Sequence, residues 1–369
     1  MRLSRRIRSI AWTAAAAAAS VVLAASPKEW PVSVGSAHGE PGRVVRGSLE
    51  VAEAADGSPV ELPIQIVSGE RPGPTVWIEA ATHGDEYGGV RALQELVRGL
   101  DPRTLTGAVI AVMITNPPAF RGLQRVNPNL DDLSDMGDVF PGRERFATER
   151  IAAVVDAEVR RVADAFVDLH TGGDRFRQCP FVFYSPTGTV PEQRYDELAR
   201  SFGVPLLWRD TQKVFAHDAV TTFSGAGIPS FLLEIGGGQP LDPLDLRYQA
   251  GAVSNLLRKL AMVPAASGLL PAPVTISGYR IVTNARGGFF EAAVKPCDRI
   301  REGTVLGFIV DAYGDTVETL RAPEGADVVL GVSTYPATPT GGWLLELGTG
   351  LAERPSAAGM PGGAASPGR

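Results

Sequence analysis

The sequence predicts an α/β fold, a mixed sheet flanked by helices, with a small β-rich domain behind it. Between about residues 45 and 263, short apolar runs alternate with segments of helical periodicity. A composition shift over 264–273, rich in Pro and Ala, then marks a break. Beyond it only short strand patterns follow, punctuated by turn residues.

The elements follow in order. Residues 75–81 read as a buried strand, and Val90, Leu93, Leu96, Val97 and Leu100 repeat at helical spacing behind it. A strand is predicted over 108–114. A helix over 148–163 carries Ile151, Val154, Val155, Val159 and Val162 on one face. Strands at 165–167, 181–184, 204–207 and 230–235 precede a closing helix over 241–260. This gives a main domain over 45–263. Further strands at 274–279, 288–293, 305–310, 316–322, 326–332 and 343–347 predict a small sandwich or barrel over 264–350. The tail, 351–369, is rich in Gly, Pro, Ala and Ser and is expected to be disordered.

At the start, Arg2, Arg5, Arg6 and Arg8 precede the apolar, Ala-rich stretch 10–25. Residues 1–26 therefore read as a signal peptide, with Ser4-Arg5-Arg6 similar to a twin-arginine signal, and 27–44 as a linker. An exported protein, periplasmic or secreted, is expected; a cytoplasmic one with a misassigned start is the alternative. The chain has 369 residues, 44% of them hydrophobic, which is ample for a core. Its formal charge of −6 falls by four to −10 without the first 26 residues, which carry four Arg and no acid. With no basic stripe, nucleic-acid partners and anionic membranes are disfavoured. Cys179 and Cys297 have no metal spacing and exclude a disulfide framework; one disulfide between domains is possible but not predicted.

Two motifs carry the chemistry. Thr82-His83-Gly84-Asp85-Glu86 and Asp168-Leu169-His170-Thr171 each follow an apolar strand, and ligands of open α/β sheets sit outside the carboxyl ends of strands. Two imidazoles and a carboxylate, His83, His170 and Glu86, form a catalytic zinc set that keeps a position open for water. The small residues beside both His are expected to leave room for a ligand. Asp168, two residues before His170, faces the same side of an extended strand and could hold the second ring nitrogen. Glu234 interrupts the apolar run Phe231-Leu232-Leu233-Glu234-Ile235, where an unpaired charge is expensive. A carboxylate so placed can take a proton from water and return it to a departing group.

With the Asn116-Pro117 loop that carries Arg121 and Arg125, and the late Leu233-Glu234-Ile235-Gly236, these motifs resemble the succinylglutamate desuccinylase/aspartoacylase family over about residues 45–345. That family is related to zinc carboxypeptidases. The resemblance implies a zinc-carboxypeptidase-like sheet and one Zn2+ per chain on His83, Glu86 and His170. It also implies Glu234 as general base and then acid. Arg125 would polarise the attacked carbonyl, with Arg121 as its competitor, and Asn116, Arg121 and His217 are candidate substrate contacts. Members carry an Asn-Arg pair for a substrate carboxylate just before Phe-Pro-Gly. Here Phe140-Pro141-Gly142 is intact, but Asp135 or Asp138 takes the place of that Arg. An acid repels a carboxylate, so this departure implies a neutral or cationic substrate group. The C-terminal domain resembles the family's biotinyl-lipoyl-like unit, but no lysine stands at Pro323-Glu324, so a carrier role is not expected. The expected function is zinc-dependent hydrolysis of an amide in a small N-acyl or peptide-like compound. A zinc exopeptidase on peptide or cell-wall fragments and a non-catalytic ligand-binding homologue are the alternatives.

Overall fold

The computed structural model of the protein describes residues 28–266, 268 and 270–352. The expected signal peptide, and all but the first two residues of the expected disordered tail, lie outside the described residues. Strands β1 (Ser33–Val34) and β2 (Ala37–His38) form a small hairpin, followed by the long antiparallel pair β3 (Arg43–Glu53) and β4 (Pro59–Ser68). The segment read as a linker over 27–44 is thus built into the fold. Its Val32, Val34 and Ala37 are almost fully buried in the core, which a free linker could not achieve.

The central part follows the predicted alternation. It runs β5 (Arg71–Ala80), α1 (Tyr87–Gly99), β6 (Thr106–Val112), α2 (Pro117–Gly122), α3 (Ala147–Val162) and β7 (Ala165–His170). Next come β8 (Phe176–Tyr184), α4 (Glu192–Ser201), β9 (Leu206–Arg209), α5 (Ala219–Gly225), β10 (Ser230–Gly236) and α6 (Pro243–Lys259). The C-terminal part holds β11 (Val274–Ile276), β12 (Gly278–Thr283), β13 (Gly288–Ala292), β14 (Val305–Val310) and β15 (Thr316–Arg321). It ends with β16 (Ala326–Ser333), β17 (Ala337–Thr338) and β18 (Trp343–Thr349).

Twelve strands form one mixed sheet in the order β12-β18-β16-β8-β10-β7-β5-β6-β4-β3, with β9 and β11 branching from β8. The centre, β10, β7, β5 and β6, is parallel and mostly apolar because it is covered on both faces, its acidic residues, Glu79, Asp168 and Glu234, lying toward the strand ends. On one face α1, α4 and α6 contribute Leu93, Leu198 and Leu256; on the other α3 and α5 contribute Val155 and Phe223.

The expected separation at residue 264 holds only in part. Strands β13, β14, β15 and β17 form their own sheet, but β12, β16 and β18 extend the main one through the β16–β8 pair. Cys179 on β8 and Cys297 form a disulfide, a bridge that the sequence allowed but did not predict. Although 118 residues apart, the two are brought together because Cys297 N donates to Val329 O of β16, the strand beside β8.

Candidate active site

Strand β5 ends at Ala80, and Ala81 takes a left-handed backbone (φ 58°) that turns the chain across the strand ends. The room at Gly84 is filled by protein and not by a ligand: a Cβ there would stand 2.1 Å from the Ala119 carbonyl carbon of α2. The close approach sets His83 and Glu86 against the end of β7. There the parallel register places Asp168 beside Leu232 and His170 beside Glu234, on the same face of the sheet.

His83, Glu86 and His170 are buried, and one donor atom from each lies within 4.8 Å of the others. Nδ1 of His83 is 2.6 Å from Glu86 Oε1, and Nδ1 of His170 is 3.1 Å from Glu86 Oε2. The far nitrogens are both held: His83 Nε2 by Asp135 Oδ1 at 2.9 Å, His170 Nε2 by Asp168 Oδ2 at 2.9 Å. Thr82 Oγ1 donates to Asp168, and Thr171 N donates to Glu86 Oε2. Two imidazoles turned inward by carboxylates behind them, with a shared carboxylate between, suit a divalent metal of zinc type. Burial opposes ionisation of Glu86, but His170 and His83 outweigh it and hold the carboxyl far below its usual range.

Glu234 reaches the same cavity, about 230 Å3 in volume, and its buried Oε1 has no hydrogen-bond partner. Burial, reinforced by Glu86, pushes its pKa well up. Arg125 also lines the cavity, its side chain 47% exposed. Its Nε donates to Asp135 Oδ2 at 3.0 Å, and Nη1 lies 3.6 Å from Glu86.

The remaining expectations divide. Asp135 and Asp138 line the cavity, but Asp135 is no free repelling charge, since Arg125, His83 and Gly137 N all engage it. Asn116 is not a substrate contact: it is buried, caps α2 by accepting from Ala119 N, and donates to Thr82 O. The Pro-Pro pair that follows it is a helix-start signal that gives this role away. Arg121 and His217 are exposed and do not line the cavity.

Sequence reasoning missed a whole wall. Phe181 pairs with Glu234 across β8 and β10, Phe183 with Leu232, and Trp208 of β9 with Phe183, so all share the face of Glu234. Phe215 and Tyr279 close the group, Tyr279 stacked on Trp208 at 4.8 Å. Two buried acids stand among them. Asp218 caps α5 through Thr221 N, and Glu346 accepts from Gln178 Nε2 at 2.9 Å. Burial pushes both carboxyls up to about 7. Glu346 breaks the apolar run of β18 as Glu234 breaks that of β10, the same signal at a second place.

Fold and site together define a mixed-sheet α/β protein with a His-Glu-His candidate metal centre at its strand ends. Residues 72–260 match the family model described as succinylglutamate desuccinylase/aspartoacylase catalytic domain, and the chain belongs to that family. It is 29% identical over 293 residues to an N-alpha-acetyl-L-2,4-diaminobutyric acid deacetylase of Halomonas elongata, covering 76% of this chain and 82% of that one. The fold is shared with the product-bound ectoine utilization protein EutE (DoeB) of Ruegeria pomeroyi, at TM-score 0.73 and 24% identity over 83% of this chain and 95% of that one. A succinylglutamate desuccinylase of a Silicibacter species gives TM-score 0.74 and 23% identity, over 84% and 95% of the two chains.

Proposed function

We propose that the protein is a zinc-dependent hydrolase that cleaves the amide of a small N-acyl amine, with Glu234 as general base and acid. The observation that carries this is the placement of an unpaired, half-buried carboxylate on the same sheet face as the His83-Glu86-His170 set. When bound by those three residues, zinc supplies a Lewis acid that acidifies water and polarises a carbonyl. Glu234 takes one proton from the attacking water. The new C–O bond forms, the C–N bond breaks, and Glu234 returns the proton to the leaving nitrogen. Its raised pKa suits it to hold that proton between the two steps. Arg125, fixed at Nε by Asp135, keeps a cation at the cavity where negative charge develops on the carbonyl oxygen. The deacetylase relative and the amide-cleaving family support this reading. Export from the cytoplasm is part of the same proposal, supported by the Cys179–Cys297 disulfide, since disulfides persist in oxidising compartments.

The test is metal analysis of the purified protein followed by a screen of N-acyl amines and matched esters. One zinc per chain and amide turnover are expected. Glu234→Gln should keep the zinc and lose about 10² to 10⁴ in kcat; near-normal turnover in a zinc-loaded variant would remove Glu234 from the role.

A further inference from the structure

The aromatic chamber of Phe181, Phe183, Trp208, Phe215 and Tyr279 has no part in the chemistry above, and the cavity it belongs to is incompletely bonded. Six polar atoms on residues that line this cavity are buried without a hydrogen-bond partner: Asp85 Oδ1, Gln178 Oε1, Trp208 Nε1, Asp218 Oδ2, Glu234 Oε1 and Trp343 Nε1. An unpaired buried polar atom is costly, so a ligand that bonds it is favoured. Four of the six accept, and the two indole N–H groups donate. That mixture excludes one-sided ligand groups. An ammonium only donates and would leave both indoles unpaired; a carboxylate only accepts and would face Asp85, Asp218 and Glu346. A hydroxyl does both at one atom, with one donor and two lone pairs. Apart from Glu234, the unpaired atoms come from the loop after β5, from β8, β9 and β18, and from the cap of α5. They therefore call for several hydroxyls spread around one body. β16 makes room for the Gln178 amide at Gly331, where a Cβ would stand 2.5 Å from Oε1.

We propose that this cavity is built for a hydroxylated ring and that the substrates are N-acylated amino sugars, with the sugar as the leaving amine. A pyranose turns C–H bonds toward aromatic faces and hydroxyls outward around its edge. Trp208 and Trp343 then donate to sugar oxygens, while Gln178 and Asp218 accept from hydroxyls. On the hydrolase reading, on which this inference rests, Glu234 returns its proton to the ring nitrogen substituent. Phe181, directly beside Glu234 in the β8–β10 register, packs against the ring at that point. Water adds to the acyl carbon, the C–N bond breaks, and the products are a free amino sugar and the carboxylic acid of the acyl group.

Two measurements on the zinc-loaded full chain test this. Trp208 and Trp343 both line the cavity, so intrinsic fluorescence should report ligand entry. Methyl glucoside is expected to bind at least tenfold more tightly than methoxycyclohexane. In turnover, N-acetylglucosamine should exceed N-cyclohexylacetamide about a hundredfold or more in kcat/KM, since a site built to bond hydroxyls rejects the analogue lacking them. Trp208→Phe and Trp343→Phe, which keep the ring and remove the N–H, should each lower that ratio at least threefold; wild-type zinc content shows that each variant is folded. An unchanged ratio in both variants overturns the proposal, as does equal binding of the two probes with equal cleavage of the two amides, which leaves the hydrolase reading standing. Faster turnover of N-acetyl-1,4-diaminobutane than of N-acetylglucosamine also overturns it. If neither amide is cleaved yet methyl glucoside keeps its preference, the hydrolase reading fails while the sugar site stands.

Discussion

The metal-ligand cluster and the aromatic chamber share one cavity but are built in opposite ways. In the first, every ring nitrogen and carboxylate oxygen of His83, Glu86, Asp135, Asp168 and His170 has a partner, from Thr82, Thr171, Gly137, Arg125 or one another. In the second, Asp218, Gln178 and Trp208 each keep a buried polar atom unpaired. A fully bonded cluster is rigid and holds its donors in one geometry; a partly bonded one is costly to fold and gains when a ligand arrives. One region is therefore suited to hold an ion in a fixed geometry, and the other keeps polar atoms that a ligand would satisfy.

The contrast can be broken most severely at the ligands. His83→Ala and His170→Ala should each lose the metal and all measurable turnover, checked by metal analysis and assay. Wild-type zinc in both variants would sink the ligand assignment. Next in size, Arg125→Ala should lower kcat by about 10² to 10³. A change confined to KM would make Arg125 a positioning residue instead. Removing a supporting carboxylate by Asp135→Ala should weaken zinc affinity by about 10- to 100-fold, measured by chelator competition.

The smallest effect sharpens the other side. Asp218 titrates near 7 in the fold because burial penalises its charge, against about 3.9 in an unfolded chain. Its neutral form suits the native state, so that contribution is complete below pH 4 and is lost as pH rises through 7. Asp218→Asn should thus stabilise the metal-free protein at pH 8, by up to about 4 kcal/mol, with the gain shrinking toward pH 5. Thermal denaturation at the two values decides it; a gain larger at pH 5 contradicts the buried-charge account.

What is legible in the sequence follows the same division. The candidate ligands follow or end apolar strands, a local pattern: His83 and Glu86 lie just beyond β5, His170 ends β7, and Glu234 stands on β10. The chamber gathers residues from β8, β9, β12 and β18 and from the start of α5, and no local period reveals which strands pair. For that reason the sequence pattern sets β12, β16 and β18 in a separate domain although they complete the main sheet. The β3–β4 hairpin escapes for another reason. β3 is mostly exposed along one edge, so its apolar alternation is faint. Charge patterns mislead where partners are unseen: Asp135 reads as a bare rim acid, and its bonds to Arg125 and His83 cannot be inferred from spacing.

The family match ends at residue 260, while Tyr279, Trp343 and Glu346 of the cavity lie beyond it. The stretch by which relatives are recognised carries the candidate ligand set, and part of the cavity wall is encoded downstream. Ligand set and cavity wall can then vary separately: two members alike over the matched stretch can differ in the wall that a bound molecule meets. Exchanging residues 274–349 between them becomes a route to change that wall while leaving His83, Glu86 and His170 in place.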